Sequence, residues 1–234
     1  MLFNNIDVNS YMDIKEINGR GLTNYELSII ESSFRDGGIV QRKRRSPRTL
    51  DISYQVIGST RSEIRQNIDE LNGIFNVNHD VPIVFPDESD KTYFGQPESN
   101  SEGQELFFMH EGSFRIVCPD PDKIGQQKQR TVDGNSFTYR GTSPTFPIIT
   151  VDFSESASSF EVSNQDGERV KVNYDFQNGD VLELNFSTQK ISINGNVQMT
   201  ALAWTISKWF SIKPGENTLT STQPADMTYK VRWQ

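Results

Sequence analysis

Between Gly179 and Thr220 the chain alternates apolar and polar residues with a period of two, broken by reversal signals. Leu182, Leu184 and Phe186 share one parity, and Glu183 and Asn185 share the other. Successive side chains of an extended chain point to opposite faces, so this pattern is a half-buried strand. Lys-Ile-Ser-Ile follows and runs into Asn194-Gly195, two residues that tolerate positive φ and therefore close a tight hairpin. Pro214-Gly215 marks a second reversal. A chain written this way is constrained to sheet.

The same pattern extends to the C-terminus. Ile149, Val151 and Phe153 alternate. So do Phe160 with Val162, Val170 with Val172 and Tyr174, and Met227 with Tyr229, Val231 and Trp233. Turns are expected at Asp166-Gly167 and Asn178-Gly179. Short strands at this spacing predict a two-sheet β-sandwich over residues 148–234.

Upstream the pattern is mixed. Thr60-Arg61-Ser62-Glu63 has the form of a capping box. Ile64, Ile68 and Leu71 follow at helical spacing, which predicts one helix over about 60–75. Strands are expected around it, at Leu50 to Val56, Val81 to Phe85 and Phe114 to Cys118. The apolar stripe of the helix needs a sheet to cover it. Residues 119–147, rich in Pro, Gly and Gln, read as a connector. The expected organisation is an N-terminal domain over residues 1–140, including most of that connector, and a C-terminal sandwich over 148–234. The fold class is mainly β with one helix.

Composition narrows the function. A net charge of −8 argues against a general nucleic-acid binder. The single cysteine excludes an internal disulfide, and Cys118 shares a strand face with Phe114 and Ile116 as a small buried apolar residue would. Met1 to Asn5 lacks the basic start and apolar run of a signal peptide. No apolar stretch reaches the roughly 20 residues of a spanning helix. A protein made in the cytoplasm, without membrane insertion, is expected. His79 and His110 have no partner at metal-ligand spacing, no nucleophile elbow is present, and no glycine run cradles phosphate. No catalytic, cofactor-binding or metal residue is therefore assigned, and the chain is read as not an enzyme.

Gly179 to Thr220 resembles the C-terminal domain of the distal tail proteins of long-tailed phages. The first half carries the same likeness in order: Gly19-Arg20-Gly21, Arg35-Asp36-Gly37-Gly38, a basic stretch with Pro47-Arg48-Thr49-Leu50, the helix, Pro82 to Asp87, and Cys118-Pro119-Asp120-Pro121. The resemblance implies an N-terminal β-domain with a helix and a protruding hairpin, closing a six-fold ring around the tail channel. It implies a galectin-like or carbohydrate-module-like sandwich on the ring's periphery. The implied location is the virion tail tip. The implied partners are copies of the chain itself, the tail tube protein, a tail-associated lysin or baseplate hub protein, and receptor-binding proteins or host saccharide. Gln126 to Tyr139 fits the family pattern loosely, and the long sugar-binding insertions of some relatives are missing.

Two surface features bear on that function. Arg42, Lys43, Arg44 and Arg45, with Arg48 nearby, form the densest charge run. Asp80 to Glu105 holds seven acids, among them Asp87, Glu88 and Asp90, against Lys91 alone. Such runs are usually solvated faces. A ring, however, needs two different surfaces that meet head to tail, and opposite charges would register them. These eight residues are the candidate ring interface. Trp204, Ile206, Phe210 and Ile212 share a parity expected to be buried, whereas Trp209 falls opposite and is the candidate exposed aromatic. An exposed Trp keeps open a second function, a carbohydrate-binding accessory module. A cell-wall hydrolase is a third reading, with no catalytic set to support it.

Overall fold

The alternation becomes sheet almost throughout. The computed structural model describes residues 1–234, the side chains of Ser32 and Arg35 excepted. The chain forms two compact units, Met1–Lys123 with Gln234, and Ile124–Trp233.

The first unit contains β1 (Leu2–Phe3), β2 (Ile6–Asp7), β3 (Asp13–Asn18), β4 (Tyr25–Ser32), β5 (Arg35–Arg45), β6 (Arg48–Ile57), α1 (Arg61–Phe75), β7 (Val81–Val84), β8 (Tyr93–Leu106) and β9 (Met109–Cys118). Seven strands form one sheet in the order β2-β1-β7-β8-β9-β6-β3. The β6–β9 register pairs Leu50 with Ile116 and Ile52 with Phe114, which brings their buried apolar parities onto one face. Slippage by one residue would expose that whole set. Cys118 lies in the same buried set. Burial pushes its thiol up to about 12, so it is a small core residue and not a nucleophile.

Helix α1 begins as its capping signal predicts. The Thr60 hydroxyl accepts from the Glu63 amide at 3.2 Å, and the Glu63 carboxylate accepts from the Ser59 amide at 2.8 Å. Ile64 and Leu71 are buried, and Ile68 and Phe75 pack at the margin of the same core. Phe75 meets Phe3 at 4.8 Å and Phe114 at 4.7 Å between ring centres. Such aromatic pairs add to simple area burial.

The second unit contains β10 (Lys123–Thr131), β11 (Phe137–Tyr139), β12 (Ile148–Asp152), β13 (Ala157–Asn164), β14 (Arg169–Phe176), β15 (Val181–Asn185), β16 (Lys190–Ile193), β17 (Asn196–Val197), β18 (Gly215–Asn217), β19 (Leu219–Ser221) and β20 (Asp226–Trp233). A six-stranded sheet, β10-β20-β12-β15-β16-β17, and a three-stranded sheet, β14-β13-β19, contribute to one core. Ile149, Val151, Leu182 and Leu184 come from the first sheet, and Phe160, Val162, Val170 and Val172 from the second. Phe153 stacks on Phe176 with ring centres 4.0 Å apart. This is a β-sandwich. Asn194 and Gly195 adopt φ of 51° and 77°, the positive values that their hairpin requires.

The expected connector is largely structured. β10 pairs with β20, and β11 pairs with β18, so both strands belong to the second unit. The chain passes between units at Lys123–Ile124, upstream of residues 140–148, where the sequence suggested the change. The reason is physical. Gln126, Gln127, Lys128 and Gln129 are all exposed, so this strand lacks the apolar alternation that would reveal it.

Candidate functional site

β4 and β5 form a hairpin whose strands pair with each other and belong to none of the larger sheets. Tyr25 faces Arg45, Leu27 faces Lys43, and Ile30 faces Ile39, with register shifts between Ser28 and Ile29 and between Glu31 and Ser32. The period of two places Tyr25, Leu27 and Ile29 on one face and Glu26, Ser28 and Ile30 on the other. Leu27, Ile29, Ile30, Ile39 and Val40 are each about half exposed, at 49% to 54%. The half of the hairpin nearer its tip is thus apolar on both faces.

The basic run lies on this hairpin and at its root. Arg42 is exposed and makes no ion pair among the described residues. The Lys43 ammonium lies 4.0 Å from the centre of the Tyr25 ring. Arg44 pairs with Glu26, which also accepts from the Ser46 hydroxyl at 2.9 Å. Arg44, then Ser46, hold the Glu26 carboxyl below its ordinary range. Arg45 pairs with the buried carboxylate of Asp122. Arg48 is itself buried, its Nε donating to the Pro121 carbonyl at 2.9 Å and its Nη1 to the Gly19 carbonyl at 2.8 Å.

Much of the expected acidic surface is also engaged within the chain. Arg20 donates to Asp87 at 2.9 Å and stands 4.4 Å over the Phe85 ring. Glu88 accepts from Lys91 and Lys123, both at 2.8 Å, and from the Tyr93 hydroxyl at 3.0 Å. Burial alone would raise the Glu88 pKa, but the hydrogen bonds from Lys123, Lys91 and Tyr93 outweigh it and bring the value down to about 2. Burial pushes Tyr93 up to about 12. Asp90 remains exposed. The basic run and the acidic segment are thus each engaged within the chain, the first by Glu26, Asp122 and backbone carbonyls and the second by Arg20, Lys91 and Lys123, and Arg42 and Asp90 stand outside these pairings.

The tryptophans exchange their expected places. Trp204 is 66% exposed, whereas Trp209 is partly buried and meets Phe186 edge-on at 5.0 Å. Residues 203–208 are a turn, in which the Ala203 carbonyl accepts from the amides of Ile206 and Ser207 at 3.2 and 3.0 Å. Parity holds only along an extended chain, so it fails here. Phe210 and Ile212 are buried as expected. Sequence reasoning also missed the β8–β9 tip, where Leu106, Phe107 and Phe108 are exposed and Arg61 stands 5.2 Å over Phe107. The doublet Phe107-Phe108 between alternating stretches was its available signal. His79 is exposed, and His110 is buried on β9. Among the described residues, no group of three or more His, Cys, Asp or Glu is placed to hold a metal ion, and no helix is long and apolar enough to cross a membrane.

Comparisons with known proteins divide the chain much as the fold does. Residues 4–118 match a phage tail protein RIFT-related domain, and residues 140–233 match the C-terminal domain of a siphovirus-type tail component. The distal tail protein of Bacillus phage SPP1 is 32% identical over 241 residues, covering 100% of this chain and 95% of that one. The chain belongs to the distal tail protein family. It is a structural component of the phage tail tip. The crystal structure of the SPP1 distal tail protein, described as a paradigm of the hub adsorption apparatus in phages infecting Gram-positive hosts, superposes with a TM-score of 0.92 at 26% identity, over 100% of this chain and 98% of that one. A chain of the phage p2 baseplate in its activated, strontium-bound conformation gives a TM-score of 0.50 at 9% identity over 97% and 96%, a likeness of fold alone. Seen as a distal tail protein, the molecule has its unpartnered hairpin in the unit that matches the RIFT-related domain.

Proposed function

We propose that this distal tail protein closes a homo-hexameric ring at the end of the tail. In this reading the ring joins the tail tube protein above to a tail-associated lysin or baseplate hub protein below. The sandwich of the second unit is an accessory module that docks receptor-binding proteins. The observation that carries the reading is the β4–β5 hairpin. An isolated pair of strands is marginal in water, and apolar residues on both of its faces favour a covering partner. A neighbouring copy meets that need repeatedly around a closed ring. Ring closure also removes edges that would otherwise recruit other chains, and repetition makes each partner site multivalent.

The candidate charges take a narrower role. Arg44, Arg45 and Arg48 are engaged within the chain, Asp87 and Glu88 are held by Arg20, Lys91 and Lys123, and Arg42 with Asp90 is the pair left to register one copy against the next. No reaction is assigned to the chain. Native mass spectrometry of the full chain tests the ring. A six-copy species is expected, weakened by Arg42→Glu and abolished by Leu27→Asp combined with Val40→Asp. A strict monomer at high concentration overturns the reading.

A second reading rests on Trp204, whose exposed ring offers an apolar face to a pyranose. Saccharide recognition by the second unit would then accompany the hub role. Binding of host cell-wall saccharide that is lost in Trp204→Ala supports it, and equal binding in that variant removes it.

A further inference from the structure

Helix α1 covers its sheet incompletely. A cavity of about 220 Å³ opens between Ile68, Leu71 and Phe75 of the helix and Tyr54, Pro97 and Phe114 of β6, β8 and β9. The register explains the gap. Tyr93, Gly95 and Pro97 share one parity of β8, and Tyr93 and Gly95 are buried. A register shift between Pro97 and Ser99 then changes the parity, so that Asn100 stands opposite Phe114 and Glu102 opposite Gly112. Phe114 belongs to the core face, so β8 now brings polar side chains to positions from which apolar ones would have closed against the helix. Gly112 adds no side chain, and Tyr54 lies over it: a β-carbon at Gly112 would come 2.6 Å from the Tyr54 hydroxyl oxygen.

The cavity suits an apolar ring, since about 150 Å³ of apolar space is enough for benzene. Its mouth is acidic. Glu98 lines it, and no Lys or Arg is among the described residues that do. Burial, and after it the Glu102 charge, raises the Tyr54 hydroxyl above its ordinary value, which places Glu102 beside the same mouth. The complement stands at the β8–β9 tip. Phe107 and Phe108 are 56% and 59% exposed, their rings edge to face at 4.6 Å. Arg65 is paired with Glu105, whereas Arg61, over the Phe107 ring, forms no ion pair among the described residues. The tip thus offers two rings and a spare cation to an apolar bowl rimmed by carboxylates. The two cannot meet within one chain. Six residues of β8, roughly 20 Å of extended chain, separate Asn100 from Leu106, and pairing with β9 as far as Leu106 keeps the tip from folding back.

We infer that the Phe107-Phe108 doublet of one copy seats in the cavity between α1 and the sheet of a second copy, bringing Arg61 against Glu98 and Glu102. A contact between two different surfaces joins copies head to tail, and it closes into a ring when the rotation between copies allows. The inference rests on the ring reading and adds to the β4–β5 hairpin a second contact with named residues on both sides.

The test oxidises the full-length chain carrying Leu106→Cys with Asn100→Cys and runs it on non-reducing gels beside each single variant. Cys118, buried in the core, takes no part. A ladder of disulfide-linked multimers is expected with both cysteines, because each copy then links forward and backward, and nothing beyond a dimer with either alone. Adding Phe107→Ser and Phe108→Ser should abolish the ladder while leaving the urea midpoint unchanged, since both rings are exposed. If the parent is a six-copy species by native mass spectrometry yet the double-cysteine chain gives no ladder, or the ladder survives loss of both rings, the contact is overturned and the ring stands. A ladder obtained only when Phe34→Cys replaces Leu106→Cys puts the β4–β5 tip in the cavity and overturns it too. A strictly monomeric parent overturns ring and contact together.

Discussion

The β15–β16 hairpin and the β4–β5 hairpin follow the same rules and meet opposite fates. Each alternates apolar and polar residues, and each has a residue with positive φ at or near its turn, Gln189 in one and Gly37 in the other. In β15–β16, Leu182, Leu184, Ile191 and Ile193 are buried beneath the other sheet of the sandwich. In β4–β5, Leu27, Ile29, Ile39 and Val40 remain half exposed. Alternation specifies a strand with a covered face. It does not specify whether the cover comes from the same chain or another.

That contrast can be broken most forcefully in the sandwich. Leu184→Ala, at a fully buried site, is expected to cost about 3 kcal/mol in urea unfolding monitored by intrinsic fluorescence. A cost below 1 kcal/mol would mean that the sandwich core is not closed as described. Next comes Glu88, which Arg20, Lys91, Tyr93 and Lys123 hold in place. Glu88→Gln is expected to cost about 1–3 kcal/mol at neutral pH, because it strips the charge that Lys91 and Lys123 bond. Its pH signature has a definite sign. The folded carboxyl lies at about 2 against an ordinary 4.5, so its contribution is present above 4.5 and is lost as pH falls toward 2. Unfolding midpoints measured across that range should fall more steeply in the parent than in Glu88→Gln.

Smaller effects sharpen the comparison. Gly195→Ala puts a β-carbon at a φ of 77° and should cost about 1 kcal/mol by thermal unfolding, while leaving copy number unchanged. Ile29→Ser on the free hairpin should change monomer stability by no more than about 0.5 kcal/mol, since its site is already half in water. Its effect should appear instead in light scattering, as loss of the assembled species. If Ile29→Ser destabilised the monomer as much as Leu184→Ala, the hairpin would be core and not interface.

Legibility in the sequence followed the same divide. Helix α1, the β6 and β9 core faces and the sandwich strands were readable because buried side chains enforce periodicity. β10 was missed because its side chains face solvent and only its backbone is paired. Trp204 and Trp209 were exchanged because a turn at 203–208 resets the parity. The charges were found but their partners were not. Arg45 meets Asp122 and Lys123 meets Glu88 across separations of 77 and 35 residues, which no local spacing encodes.

The inert thiol of Cys118 has a practical corollary. As the chain's one cysteine, sealed in the core, it should ignore maleimide dyes under native conditions. A second cysteine engineered at the hairpin tip would then take the label alone. Fluorescence transfer between copies tagged in this way would follow their association in real time, with no need to redesign the chain's own chemistry.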